Sequence, residues 1–524
     1  MSGCKKIRKR YKRCVSAVLA FLLCLSMGSV SLASGVSQIG EKNEELTAEE
    51  KMKEELDKVY KIPTESNSWE GWKKGPGTYG EAAIVMEVET GTILYAKDID
   101  SKQYPASITK VLTALVALEN SQMSDKVTFS HDCVSFLQPG DSSVGLKEGN
   151  MITMEQALYA MLLASANEAA YAVGENVGKN AGYDYDWFIQ KMNERVKELG
   201  GVNSNFVNTN GLHDKNHYTC ARDMALIGRE LFKHPEFFEI VQTLEYKIPE
   251  SKTVEQHVFQ QKDKMLRPQN VNYYKYAIGG KTGYTSDALS TLITMADNGK
   301  MQLVCVVLRT HGKNVYPDTK NLLDYAFKNF KKVEVSELKQ PEGVEEILGN
   351  LENADTENTE NMEISESSET TENAGSGYVV VPKKTELSEL ESELSPDGVG
   401  SDEATLVYTY HGTNVGDVRV RISEEYLREN SLLIEEEREE PSDNTQKEKI
   451  KEPGWLKKLK KLDKLGLLEK TGIDERLSEM GKAELLILGA AVAALCVLII
   501  LLIIFLVLIS RKEKRLRQKK HRAK

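Results

Sequence analysis

The sequence predicts an α+β catalytic unit, an antiparallel sheet packed with a helical cluster, followed by a small β-rich C-terminal module and a C-terminal transmembrane helix. Three observations carry this. Strand patterns at both ends of segment 76–335 enclose a run of helical patterns, period-two alternation returns over 378–423, and an unbroken apolar stretch lies near the C-terminus. With 524 residues, 40% of them apolar, the chain can hold one large core and smaller attached units.

The first residues include Lys5, Lys6, Arg8, Lys9, Arg10, Lys12 and Arg13, followed by the apolar VSAVLAFLLCLSMGSV and the small-residue site Ser31-Leu32-Ala33. This is the three-part pattern of a secretory signal peptide over 1–33, with cleavage expected after Ala33. An uncleaved anchor is the competing reading, but the apolar run is short for a span. Segment 34–75 reads as a polar leader, helical or loose. EAAIVMEVETGTILYAKDID alternates on both sides of Glu89-Thr90-Gly91-Thr92, which predicts a β-hairpin. Apolar helical patterns follow at 107–119, 154–178 and 185–199. LSTLITMAD and MQLVCVVLRT then read as strands joined at Asn298-Gly299, and LLDYAFKNF over 322–330 as a closing helix.

Residues 341–376 contain eleven Asp or Glu and no Lys or Arg, so 336–377 is predicted to be an acidic disordered insert acting as a spacer. GYVVVPKK and ATLVYTYHGTNVGDVRVRIS restore strand patterns over 378–423, with a turn near Gly412-Thr413-Asn414. A polar linker over 424–454 leads to an amphipathic juxtamembrane helix within 455–484, where Leu456, Leu459 and Leu462 share a face. Leu485 to Ile509 is an apolar run of 25 residues, long enough to cross a bilayer. The basic tail 510–524 is then expected in the cytoplasm, leaving the catalytic unit outside, on the cell-wall side of a single-pass membrane protein.

The net charge is −11 and the basic clusters sit beside the two membrane signals, so nucleic acid is not an expected partner. Outside those signals only Cys133, Cys220 and Cys305 remain, too widely spaced for a disulfide framework or a zinc site, and they are expected as small buried hydrophobes. His131, His213, His217, His234, His257 and His311 show no His-Glu-x-x-His pattern; no metal and no cofactor are expected.

In PASITK, Ser107 and Lys110 are three residues apart just after Pro105, at a predicted helix start. A serine hydroxyl needs a base within hydrogen-bond reach, residues three apart share a helix face, and a helix N-terminus offers N–H groups to an oxyanion. Lysine serves as base only when burial or a neighbouring cation lowers its pKa. Taken alone, the pair is more often a capping serine and a snorkelling lysine. Ser165-Ala166-Asn167 interrupts an apolar helical pattern, and Lys281-Thr282-Gly283 stands at the start of a strand; each alone reads as a cap or a turn. Together and in order on an exported chain, the three resemble the Ser-x-x-Lys, Ser-Asp-Asn and Lys-Thr-Gly set used by class A β-lactamases and penicillin-binding proteins.

At these residues the chain resembles the serine-type D-alanyl-D-alanine carboxypeptidases, the low-molecular-weight penicillin-binding proteins. The resemblance runs from about Glu81 to Val333 and includes GDSSVGLKEGN, NTNGLHDKNHY and LLDYAFKNF. It implies a β-lactamase/transpeptidase-like fold, peptidoglycan stem peptides as substrates and β-lactams as covalent inhibitors. By position it implies Ser107 as acyl-ester nucleophile, Lys110 as general base, and Ser165 with Lys281 as the proton path to the leaving D-Ala. Asn167 would hold the substrate amide, and the N–H groups of Ser107 and Tyr284 would form the oxyanion hole. Thr282, beside Gly283, would bind the terminal carboxylate with Thr285 and Arg309; Arg309 reads equally well as a plain surface arginine. The chain departs from the family at Ala166, commonly Gly, and in following its amphipathic helix with a full span. No Glu-x-x-Leu-Asn segment lies between the second and third motifs, so slow deacylation of β-lactams is expected. The competing functions are a D,D-endopeptidase using the same residues and a non-catalytic penicillin-binding or wall-sensing protein.

Overall fold

The computed structural model describes residues 47–350, 377–398 and 401–430. All of them belong to one of the chain's two compact units, Met1–Ile434. No helix among the described residues is long and apolar enough to cross a membrane. The predicted signal peptide, juxtamembrane helix, apolar stretch 485–509 and basic tail lie outside the described residues.

Strands β1 (Ala82–Glu87) and β2 (Ile93–Lys97) form the predicted hairpin, with Gly91 at φ +67 in its turn. Two short hairpins pair separately, β3 (Lys126–Thr128) with β4 (Met151–Thr153), and β5 (Glu245–Ile248) with β6 (His257–Gln260). Strands β7 (Ala277–Thr285), β8 (Leu289–Asp297) and β9 (Gln302–Thr310) join the first hairpin in one antiparallel sheet of order β2-β1-β9-β8-β7. The two ends of the catalytic segment therefore meet between β1 and β9, which leaves β7 on an edge.

Both faces of this sheet are covered, which explains why β1, β8 and β9 are buried along most of their length. Ile84, Met86, Val304, Val306 and Leu308 enter one core; Ala83, Val85, Leu303, Cys305 and Val307 enter another. The first core is built with the helical cluster. In chain order these helices are α2 (Thr109–Asn120), α3 (His131–Ser135), α4 (Met154–Leu162), α5 (Asn167–Asn180), α6 (Tyr185–Glu198), α7 (Ala221–Glu230) and α8 (Pro235–Gln242). Helix α2 is buried continuously from Thr109 to Ala117 and is the central helix of the cluster. The other face is covered by α9 (Val315–Asn329) through Leu322, Leu323 and Ala326. Cys133, Cys220 and Cys305 are all buried and free.

The leader is more ordered than a loose segment. Thr47 caps α1 (Ala48–Tyr60) in a reciprocal capping box with Glu50. The buried Lys97 on β2 donates from Nζ to Val59 O at 3.0 Å, Thr78 O at 2.8 Å and Gly80 O at 2.9 Å, tying the end of α1 to the sheet. Trp72 packs its ring against Phe330 and Tyr410.

Beyond α9 the chain forms β10 (Phe330–Glu334), β11 (Val344–Asn350), β12 (Tyr378–Pro382), β13 (Leu390–Pro396), β14 (Glu403–Tyr410) and β15 (Thr413–Ile422), closed by α10 (Glu424–Glu429). Two details differ from the sequence expectation. The first four-stranded partner, β11 in the order β11-β15-β14-β13, comes from within the range assigned to the acidic insert. Its glutamates mask a strand whose Ile347 packs on the core while Glu345 and Glu346 stay exposed. Strand β12 pairs with β10 rather than with the four-stranded sheet. Asn350 closes the gap by binding both main-chain groups of Tyr378, at 2.8 Å to its O and 3.0 Å from its N.

Candidate active site

Pro105 precedes a tight turn, Ala106–Ile108, that runs directly into α2. Ala106 has φ +51, a left-handed conformation costly for a residue with a Cβ. The turn is held from two sides. A Cβ on Gly211 would collide with Ala106 O and stand 3.0 Å from Ser107 N; one on Gly283 would meet Thr291 Oγ1 and stand 2.9 Å from Ser107 N. Thr291 Oγ1 also donates to Pro105 O at 2.8 Å. The chain around Ser107 thus sits flush against β7 and the 208–212 loop.

Lys110 is fully buried, and its Nζ lies 3.1 Å from Ser107 Oγ, 2.8 Å from Asn167 Oδ1 and 2.6 Å from Asn210 O. Desolvation pushes its pKa well below the ordinary lysine value, with the Lys281 cation adding to the effect. A neutral amine has two N–H donors and one lone pair. Asn167 and Asn210 take the donors, so the lone pair faces the Ser107 hydroxyl, the arrangement of a base poised to take its proton.

The apolar helical pattern over 154–178 is two helices, joined at the junction where Ser165-Ala166-Asn167 interrupts it. The break, residues 163–166, contains Ser165 at φ +61, and α5 starts at Asn167. That strained turn aims Ser165 at Lys281, whose Nζ donates to Ser165 Oγ at 3.1 Å and Thr282 O at 2.8 Å. Burial lowers the Lys281 pKa to about 7, with Lys262 assisting and Asp263 opposing. Lys281-Thr282-Gly283 lies within the edge strand β7 rather than at its start, so one edge of the strand is open to a ligand.

Ser107, Ser165, Asn167, Thr282, Gly283, Tyr284 and Thr285 line one cavity of about 660 Å³. Lys110 and Lys281 stand behind it. Arg309 does not line it. The β8–β9 pairing has an extra residue between Val307 and Thr310, and Arg309 there adopts φ +52. The bulge aims its guanidinium at Glu81, 2.8 Å from Nε, and at the carbonyl of Asp287.

Residues without a predicted role complete the site. Asn210 acts through its main-chain oxygen, which leaves no side-chain signature; the Asn-Gly turn that presents it is the only sequence signal. Glu168 Oε1 accepts from Ser143 Oγ at 2.7 Å, Val144 N at 2.7 Å and Gly145 N at 3.1 Å, holding the 142–145 loop at the cavity rim. Lys262, Lys264 and Lys313 also face the cavity and make it a basin for anions.

Residues 73–312 match the Peptidase S11 family, D-alanyl-D-alanine carboxypeptidase. The chain is 30% identical over 250 residues to D-alanyl-D-alanine carboxypeptidase DacB2 of Mycobacterium tuberculosis, covering 47% of this chain and 81% of that protein. It is 31% identical over 261 residues to D-alanyl-D-alanine carboxypeptidase DacF of Bacillus subtilis, covering 48% of this chain and 63% of that protein. The match therefore spans less than two thirds of the Bacillus relative. The fold is similar to that of penicillin binding protein 5 from Haemophilus influenzae, with a TM-score of 0.51 at 22% identity over 67% of this chain and 98% of that one.

Proposed function

Because the chain belongs to the D-alanyl-D-alanine carboxypeptidase family, we propose that it is a serine-type D,D-carboxypeptidase removing the terminal D-Ala from peptidoglycan stem pentapeptides. The single observation that carries this reading is the buried Lys110, its Nζ 3.1 Å from Ser107 Oγ.

Ser107 Oγ attacks the carbonyl of the D-Ala-D-Ala bond while its proton passes to Lys110 Nζ. The Ser107 and Tyr284 N–H groups receive the oxyanion as it forms. The C–N bond then breaks, and the departing D-Ala amine takes a proton through Ser165 and Lys281, supplied in the end by Lys110. Water hydrolyses the acyl-enzyme and restores the serine. Asn167 serves twice, accepting from Lys110 and facing the substrate amide. Thr282 and Thr285 meet the terminal carboxylate inside the cationic cavity. Penicillin acylates the same serine. In this proposal the N-terminal signal exports the chain, and the apolar stretch 485–509 anchors it with the catalytic unit on the wall side and the basic tail in the cytoplasm.

The test is mass analysis of pentapeptide muropeptides incubated with the protein. Loss of one D-Ala is expected, with Ser107→Ala inactive and unlabelled by fluorescent penicillin. Full activity in that variant would remove Ser107 from the reaction. Cleavage of crosslinked muropeptides without D-Ala release would instead favour an endopeptidase.

A further inference from the structure

His217 stands outside the catalytic cavity, 1% exposed, yet its ring is bonded into the turn that presents Ser107. Val207 N donates to His217 Nδ1 at 3.1 Å, so Nδ1 carries a lone pair and no proton. The proton of the neutral ring is then on Nε2, which lies 2.8 Å from Thr109 Oγ1. Receiving that N–H, the Thr109 hydroxyl turns its own proton to Ala106 O, 2.9 Å away. Every member has one role: amide to Nδ1, Nε2–H to hydroxyl, hydroxyl to carbonyl. The chain ends on the residue at φ +51 immediately before the nucleophile.

We propose that His217 and Thr109 are positioning residues for Ser107: a one-directional hydrogen-bond chain that locks the left-handed Ala106 turn and so holds Oγ at attack distance from its base. Three features support this. Ala106 is strained and needs an external hold. Both links are buried, where an unmade hydrogen bond is costly and the orientation of each member is fixed by the next. Thr109 stands between Ser107 and Lys110 on the same helix start, so a shift at Ala106 O moves the nucleophile relative to Lys110 Nζ, which its bonds to Asn167 and Asn210 hold in place. Desolvation lowers the His217 pKa to about 3, so the ring stays neutral and the chain keeps its direction throughout the neutral range.

This inference rests on Ser107 being the nucleophile, and the experiment separates the two. Full-length wild type, Thr109→Val, Thr109→Ser and His217→Gln are compared by the rate of covalent labelling with fluorescent penicillin, by kcat and KM for D-Ala release, and by thermal midpoint. Thr109→Val keeps the side-chain shape but removes both links. Its acylation rate and kcat are expected to fall about tenfold to a hundredfold, the scale set by small misplacements of reacting groups, with KM changing less than about threefold. Thr109→Ser restores the hydroxyl and is expected to recover acylation to within about threefold of wild type, which a purely packing role would not allow. Nitrogen NMR of the wild-type histidines should show a neutral ring protonated at Nε2, a readout independent of activity and of whether any variant folds. Thr109→Val acylating like the wild type, or a ring protonated at Nδ1, would overturn the inference. Wild type that takes no penicillin at Ser107 would instead sink the functional reading.

Discussion

Replacing Lys281 by methionine should stabilise the protein while destroying its catalysis, and the gain should depend on pH in a calculable way. Lys281 is 2% exposed, and burial moves its pKa from 10.5 to about 7. At about 1.4 kcal/mol per unit, the folded state at pH 6 carries about 5 kcal/mol of strain against an unfolded chain that keeps the proton in water. The sign follows from proton counts. Between pH 7 and 10.5 the unfolded state binds more protons than the native state, so wild-type stability rises with pH across that window. At pH 9 the remaining penalty is about 2 kcal/mol. Methionine has no such penalty, but it gives up the bonds to Ser165 Oγ and Thr282 O, about 1 kcal/mol each. The variant should therefore be more stable by about 3 kcal/mol at pH 6 and close to wild type at pH 9. Asp263, whose carboxyl burial pushes up to about 6, loses a neighbouring cation in the variant, which takes back part of the advantage at pH 6 and none at pH 9, where Lys281 is already neutral. Urea unfolding followed by tryptophan fluorescence at the two pH values measures it. A variant less stable than wild type at pH 6, or an advantage that does not shrink by pH 9, would refute the reasoning.

Asn167→Ala should leave one buried Lys110 N–H without an acceptor and slow penicillin acylation by about tenfold to a hundredfold, read from labelling rates, at a cost of about 1–3 kcal/mol. Gly283→Ala should be equally damaging to acylation, because its Cβ would press on Thr291 Oγ1 and the Ser107 amide; a normal labelling rate would show that β7 can retreat. Arg309→Ala should change KM for the pentapeptide by less than about threefold and cost at most about 1 kcal/mol, since its partly exposed guanidinium is engaged by Glu81 away from the cavity. A large rise in KM would mean that the substrate draws Arg309 out of that pair.

The contact between Ser107 and Lys110 was legible from their spacing at a helix start, but that spacing alone gave the pair no chemistry; the other two motifs had to stand beside it. Ser165, Asn167 and Lys281 needed the resemblance, since only the tertiary packing of α5 against α2, and of the 163–166 break against β7, brings residues so distant in sequence within 3.1 Å of a partner. Asn210 escaped because it works through a carbonyl, which any residue type supplies. Arg309 owed its carboxylate role to the resemblance, with a surface arginine as the equal alternative; the bulge that aims it at Glu81 leaves no mark in the residue types around it. The β5–β6 hairpin was missed because its strands are four residues each and mostly exposed, too short for a periodic signal. Strand β11 was hidden by composition, since its exposed glutamates resemble the acidic segment that follows.

The double hydrogen bond from Asn350 to the main chain of Tyr378 has a meaning for how this protein can change over generations. Asn350 and Tyr378, 28 positions apart in the chain, are held side by side by that clasp. The closure entropy of a connection between two such neighbours grows only with the logarithm of its length. Lengthening a flexible connection fourfold costs about 1 kcal/mol. A change in the length of the connection between those two residues therefore costs the fold little for as long as the clasp itself is kept.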